Sequence, residues 1–148
     1  MKSAATKVSS VESEVLNVFE SWLRAARASD LEAIVSHYSP DIVAYDAVAR
    51  LEFRGVDAYR KHWEMCMSMC ENPMFEAKAP EIGASGDLAF LHTLLRCGAV
   101  DDKGVENASW MRLTVAYRKF GATWRVVHEH FSLPFDMQTN QVLFSLQP

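Results

Sequence analysis

Cysteine is scarce. Cys66, Cys70 and Cys97 are odd in number and irregularly spaced, which argues against a disulfide framework. Positive charge is the minority sign, with 15 Lys and Arg against 19 Asp and Glu, and the basic residues are scattered. With a formal net charge of −4, nucleic acid is not an expected partner. No apolar run reaches the length needed to cross a bilayer, and no secretory apolar region follows Met1. There is no Gly-rich phosphate loop, no G-x-S-x-G elbow, no dinucleotide fingerprint, no internal repeat and no low-complexity segment. These absences lead us to expect a soluble protein of a reducing, cytoplasmic compartment with no membrane partner.

What remains fits one globular domain. The 148 residues, 49% of them hydrophobic, are enough to enclose a core. We expect a single domain over 1–148, with the small polar stretch "MKSAATKVSS" at 1–10 as a flexible tail. Val11, Val15, Val18, Phe19, Trp22, Ala25 and Ala26 recur at three and four, which predicts a helix over 11–28. Asp30 caps a second, short helix in "DLEAIVSHY", and Pro40 stops it. "DIVAYDAV" predicts a strand with "LEFRG" as its hairpin partner. "VDAYRKHWEMCMSMCE" predicts the third helix, opened by Gly55. Four further strands follow, separated by Ser85-Gly86-Asp87, Asp101-Asp102-Lys103-Gly104 and Gly121-Ala122. Helices first and a meander afterwards predict an α+β fold. Its sheet, antiparallel or mixed, curves around three N-terminal helices into a cone, a cystatin-like roll with a pocket inside.

That order resembles the nuclear-transport-factor-two-like superfamily, which includes SnoaL-like polyketide cyclases and ketosteroid isomerases. The specific match is "SWLRAARASDLEAIVSHYSPDIVAYDAV", Ser21 to Val48: an aromatic helix, a "GDL"-type helix start and a strand ending in aspartate. "FRGVDAYRKHW" is similar to the start of the family's third helix. "YRKFGATWRVVHEHFSLP" looks like the last hairpin of SnoaL-like and kinase-association relatives. The resemblance implies a general base at Asp46. It places Trp22 and Val115 where ketosteroid isomerases keep their two oxyanion donors, so both donors are replaced.

By strand alternation and the same comparison, His92, Leu94 and Arg96 turn inward, as do Leu113, Val115 and Tyr117, and then Val127, Glu129 and Phe131. His128, His130, Arg112 and Thr114 share the outer face. One extra residue in the last hairpin reverses the assignment of Glu129 against its flanking histidines. Two histidines two apart on a strand chelate zinc or iron when a third ligand is near. The reading preferred here is a sheet-to-sheet homodimer face, with no metal and no cofactor. His62, Cys66 and Cys70 at i, i+4 and i+8 are read chiefly as a packed helix face, with a pocket role also open to His62.

Two functions follow. The first is a cofactor-free isomerase, dehydratase or cyclase acting on a small apolar, polyketide-like molecule. Asp46, His92 and Glu129 would be catalytic, and Trp22, Tyr45, His62, Arg96, Val115, Tyr117 and Phe131 would line the site. The second is a non-catalytic ligand-binding or oligomerisation module that uses the outer face.

Overall fold

The computed structural model describes residues 10–148. The expected tail over 1–10 therefore lies outside the described residues, except for Ser10, where the first helix begins. The elements run α1 (Ser10–Arg27), α2 (Leu31–Ser36), β1 (Tyr38–Tyr45), β2 (Phe53–Arg54), α3 (Val56–Ser68), β3 (Pro73–Ser85), β4 (Leu88–Val100), β5 (Glu106–Phe120) and β6 (Thr123–Ser132). The strands form one six-stranded sheet in the order β2-β1-β6-β5-β4-β3. β1 runs parallel to β6, and all other pairs are antiparallel. This is the mixed α+β roll that the sequence predicts. No helix among the described residues is long and apolar enough to cross a membrane.

Local chemistry sets the boundaries. Asp30 caps α2 through a bond from the Ala33 amide, the role its side chain favours. α3 is shorter than its apolar pattern: it ends at Ser68, so Cys70 lies beyond it. The turn into α3 sits on Gly55 at φ 85°, a left-handed angle that glycine adopts without a steric penalty.

Three irregularities bend the sheet. β3 bulges between Lys78 and Glu81, around Ala79-Pro80. β1 shifts register between Tyr38 and Val43. On β6, Val126 pairs with Tyr117 and His128 with Ala116, so Val127 is an extra residue. Such bulges increase local twist and re-aim side chains. The core sits between the concave sheet face and the helices. It is strongly aromatic, with Phe19, Trp22, Tyr38, Tyr59, Trp63 and Phe131 all buried. Near the turn of the central β5–β6 hairpin, α1 is tied to the sheet by the Trp124 indole, which donates to Glu14 over 2.7 Å.

Candidate active site

Asp46 follows the end of β1 and is half-buried. Its Oδ1 accepts from the Val48 amide at 3.0 Å, which fixes the turn after the strand. Its other oxygen, Oδ2, lies 3.2 Å from Nε2 of His62 on α3. The His62 side chain is only 3% exposed, and its ring stacks on Phe53 at a 4.2 Å centroid distance. Packing therefore holds the imidazole, and the imidazole in turn orients the carboxylate. Asp46 opens onto a cleft of about 700 Å³ at the mouth of the cone. Its other walls include Tyr45, Val48, Leu51, Phe131, Val142 and Phe144.

Glu129 lies deeper on the same face. It stands beside Ala44 in the parallel β1–β6 ladder, and Asp46 is two residues further along β1. One strand spacing and one pleat repeat put the two α-carbons roughly 8 Å apart. Glu129 is 1% exposed. Burial pushes its carboxyl up to about 8, the Tyr38 hydroxyl bonds to it and holds it down, and the charge of Asp46 adds to the rise. Desolvation disfavours the charged form, so Glu129 carries a proton at neutral pH. One oxygen, Oε2, has no partner, and a void of about 10 Å³ lies against the residue, the size of about one water molecule.

Around this acid stand uncharged donors. Trp22 Nε1 donates to the Tyr38 hydroxyl at 2.9 Å. Trp63 Nε1 faces the Tyr38 and Tyr59 hydroxyls, yet neither it nor the Tyr59 oxygen closes a bond of ordinary geometry. Unpaired buried polar atoms are rare in native interiors and call for an explanation. The sequence reading did not single out Tyr38, Tyr59 and Trp63. The signal was present for two of them: Tyr59, His62 and Trp63 at i, i+3 and i+4 mark one inward helix face.

β4 corrects the inward assignment of His92, Leu94 and Arg96. Leu91, Thr93 and Leu95 are buried instead. His92 is on the outer face, with its side chain 52% exposed and 3.4 Å from Glu81. Arg96 also lies outside, held by Glu106 at 3.0 Å and Glu76 at 3.8 Å. The reason is the cost of burying charge. The observed phase buries a single polar side chain, Thr93, whose hydroxyl bonds the Lys78 carbonyl at 3.0 Å. β5 does turn Leu113, Val115 and Tyr117 inward. On β6, Glu129 and Phe131 are buried, but Val127 belongs to the bulge and Val126 takes the inward place.

Trp22, Val115, Tyr117 and Phe131 are thus interior walls, His62 reaches Asp46, and Tyr45 stands on the outer face at the rim of the cleft. There its ring meets His128 at 4.7 Å and His130 at 5.3 Å. His128 Nδ1 is 2.6 Å from the Val43 carbonyl, and Arg112 bonds Ser132 on the same face. Among the described residues, no three His, Cys, Asp or Glu side chains cluster as a metal site.

A cysteine nucleophile is disfavoured by geometry. Cys66 Sγ lies 3.7 Å from His62 Nε2, the same nitrogen that faces Asp46. One nitrogen cannot accept the thiol proton while donating to the carboxylate. Burial, and then the Asp46 charge, hold the Cys66 thiol above its usual range, and a protonated thiol is a poor nucleophile.

Comparison with known proteins agrees with this architecture. Residues 15–136 match the profile of the SnoaL-like domain. An NTF2-like protein of unknown function from Pseudomonas putida KT2440 is 46% identical, over 93% of this chain and 96% of that one, with a TM-score of 0.86. A Xanthomonas campestris protein named after the calcium/calmodulin-dependent protein kinase II association domain is 20% identical over 88% of this chain and 92% of its own, with a TM-score of 0.73. A Streptomyces avermitilis protein, provisionally named a dehydratase of the NTF2-like family, is 14% identical over 84% of this chain and 97% of its own, also at 0.73. No functionally curated protein matches the chain. Profile, identity and fold agree, and the chain belongs to the SnoaL-like family of NTF2-like proteins.

Proposed function

We propose that this protein is a cofactor-free acid–base enzyme of the isomerase, lyase or cyclase type. Its substrate is a small, uncharged, apolar molecule, cyclic or polyketide-like, that enters the mouth cleft. Asp46 removes a proton from carbon or from water, and His62 positions its carboxylate. Glu129, protonated at neutral pH, returns a proton to the departing or rearranging oxygen. The single observation behind this reading is a pair of carboxyl groups on one face of the cone in opposite surroundings. One meets an imidazole at the cleft, and the other is kept neutral among aromatic rings. Environments that separate two such groups assign acid and base. With Arg96 outside, the described residues that line the cleft include no Lys or Arg, so developing negative charge must be met by neutral donors. The dehydratase name of the Streptomyces avermitilis structure is in keeping with this chemistry.

The test is proton exchange. A neutral cyclic ketone is incubated with the protein in deuterated water, and loss of its α-protons is followed by NMR. The wild type is expected to accelerate exchange and Asp46→Asn to lose at least about a hundred-fold of that rate, with an unchanged circular dichroism spectrum. An equal rate in Asp46→Asn sinks the assignment.

A second reading, an assembly module, is favoured by one observation. The C-terminal segment leaves Phe135, Met137, Phe144 and Leu146 exposed, and two similar structures carry association-domain names. Light scattering separates the two readings. A homodimer through the face bearing Arg112, Thr114, His128 and His130 fits the enzyme, and a large assembly fits the module.

A further inference from the structure

Two apolar surfaces border the mouth cleft, and both are open to solvent. The first is the loop after β1, where Leu51 is 93% exposed and Val48 is half exposed. The second is the segment after β6. There Phe135 bridges Val142, and the Leu143 amide donates to the Pro134 carbonyl at 2.9 Å. The Asp136 carboxylate accepts from the amides of Gln138 and Thr139 at 2.7 and 3.2 Å. These bonds build a hairpin over 135–142. Val142 is part of its own chain's cleft wall. Phe135 and Met137 are not part of that wall and stand 60% and 86% exposed.

We infer that the hairpin over 135–142 of one copy packs on the loop at 48–51 of a second copy, and the reverse, so that each mouth cleft is closed by its partner. The inference rests on the proposed use of that cleft. Three observations carry it. The first is order. The hairpin backbone is already fixed by its own bonds, so docking it costs little further ordering, and apolar side chains clustered in the open mark an interaction surface. The second is charge. Asp136 is the one charged residue in 133–148, and two amides occupy one of its oxygens. With no Lys or Arg, the segment has nothing to offer an anionic lipid surface or a nucleic acid, while a neutral apolar patch does not repel a copy of itself. The third is symmetry. In a two-fold contact, residue i meets j and j meets i, so a single pairing of Met137 with Leu51 covers both surfaces on both chains. A standard interface takes roughly 800 Å² from each partner, more than these side chains alone offer. Tyr45, His130 and Ser132 carry the cleft wall onto the outer sheet face, so the contact continues the homodimer face proposed above, which supplies the rest. Closure also keeps water from Asp46 while it works on carbon.

The experiment is cross-linking of full-length chains. Leu51→Cys and Met137→Cys chains are mixed in equal amounts and oxidised with diamide. The products are read on a non-reducing gel and by mass spectrometry of the digest. The expected product is a covalent dimer whose disulfide joins position 51 of one chain to position 137 of the other. Thiols held together react far faster than free ones, so its yield should be at least about tenfold above that of three controls. These are wild type with its native thiols, either variant alone, and Leu51→Cys mixed with Leu88→Cys, whose position is exposed at the opposite end of the sheet. Sedimentation of the wild type should give a dimer. A dimer without the 51–137 link overturns the inference. So does a monomer, and one that floats with phosphatidylcholine vesicles identifies a membrane as the occupant instead. The link does not depend on turnover and should form equally when both chains also carry Asp46→Asn. A linked dimer without proton exchange defeats the enzyme reading alone, and exchange without the link defeats this inference alone.

Discussion

The indole nitrogen of Trp22 donates to the hydroxyl of Tyr38 over 2.9 Å, and that hydroxyl in turn bonds the carboxyl of Glu129. α1, β1 and β6 are thereby joined through one buried phenol. Tyr38→Phe leaves the indole without its acceptor and Glu129 without its donor. A buried group left unsatisfied costs about 1–3 kcal/mol, readable as a lower urea midpoint. The apparent pKa of Glu129 should rise further, because the Tyr38 bond is what holds it down. A fall would contradict the described network.

Glu129 also makes stability depend on pH, with a definite sign. Its folded value of about 8 lies above the ordinary 4.5. Between those values the folded state holds a proton that the unfolded state has released. Stability therefore falls as pH rises through that window and levels off above about 8. Glu129→Gln removes the titration and should flatten the slope. The variant should be the more stable protein at pH 8.5, and the difference should shrink toward pH 5. Chemical unfolding across that range measures it, and parallel slopes would refute the buried neutral acid.

The Asp46–His62 pair should respond unequally to truncation. Asp46→Asn keeps an oxygen for the Val48 amide and should cost less than about 1 kcal/mol, as is usual for partly exposed sites. His62→Ala removes a ring stacked on Phe53 in a nearly closed environment, where large-to-small changes cost on the order of 2–4 kcal/mol. Thermal melts of the two variants test the order, and equal losses would show that the imidazole does not hold its neighbours.

His92→Ala should be silent. The side chain is half exposed and, among the described residues, meets Glu81 and the Phe90 ring on the outer face, and surface pairs contribute about 0–1 kcal/mol. Proton exchange and melting temperature are both expected to match the wild type. A lost rate would return His92 to the chemistry.

Gly98→Ala probes the β4–β5 contact. A β-carbon there would sit 2.0 Å from the Asn107 carbonyl and 2.5 Å from the Ala108 α-carbon, so backbone must move. Overpacking of this kind costs about 1–3 kcal/mol, measurable by denaturant unfolding.

The elements were readable from the sequence because their periods are long and their turns well marked. β5 was readable in phase as well: Arg112, Thr114 and Arg118 alternate cleanly with Leu113, Val115 and Tyr117. β4 was not. Leu91 and Leu95 argue for one face, and Leu88, Phe90 and Leu94 argue for the other. Only the cost of burying His92 and Arg96 decides between them. Asp46 was legible from the family pattern, but its meeting with His62 joins β1 to α3 and needs the fold. The buried ring of Tyr38, Tyr59 and Trp63 around Glu129 comes from three separate elements, which no local pattern links.

The extra residue at Val127 has a consequence for how this scaffold could change its chemistry. Side chains on a strand alternate, so one inserted residue reverses every assignment that follows it unless a bulge absorbs it. With Val127 bulged out of the ladder, the carboxyl of Glu129 points into the cone while His128 and His130 point out. Straightening that bulge, so that Val127 enters the ladder opposite Ala116 while Tyr117 keeps its pairing with Val126, would turn both imidazoles inward and send the carboxyl out. A slip of one residue could thus exchange a buried acid for a two-histidine interior, with no substitution at any of the three positions. In this fold, a bulge can act as a selector of function as directly as the identity of the residues that follow it.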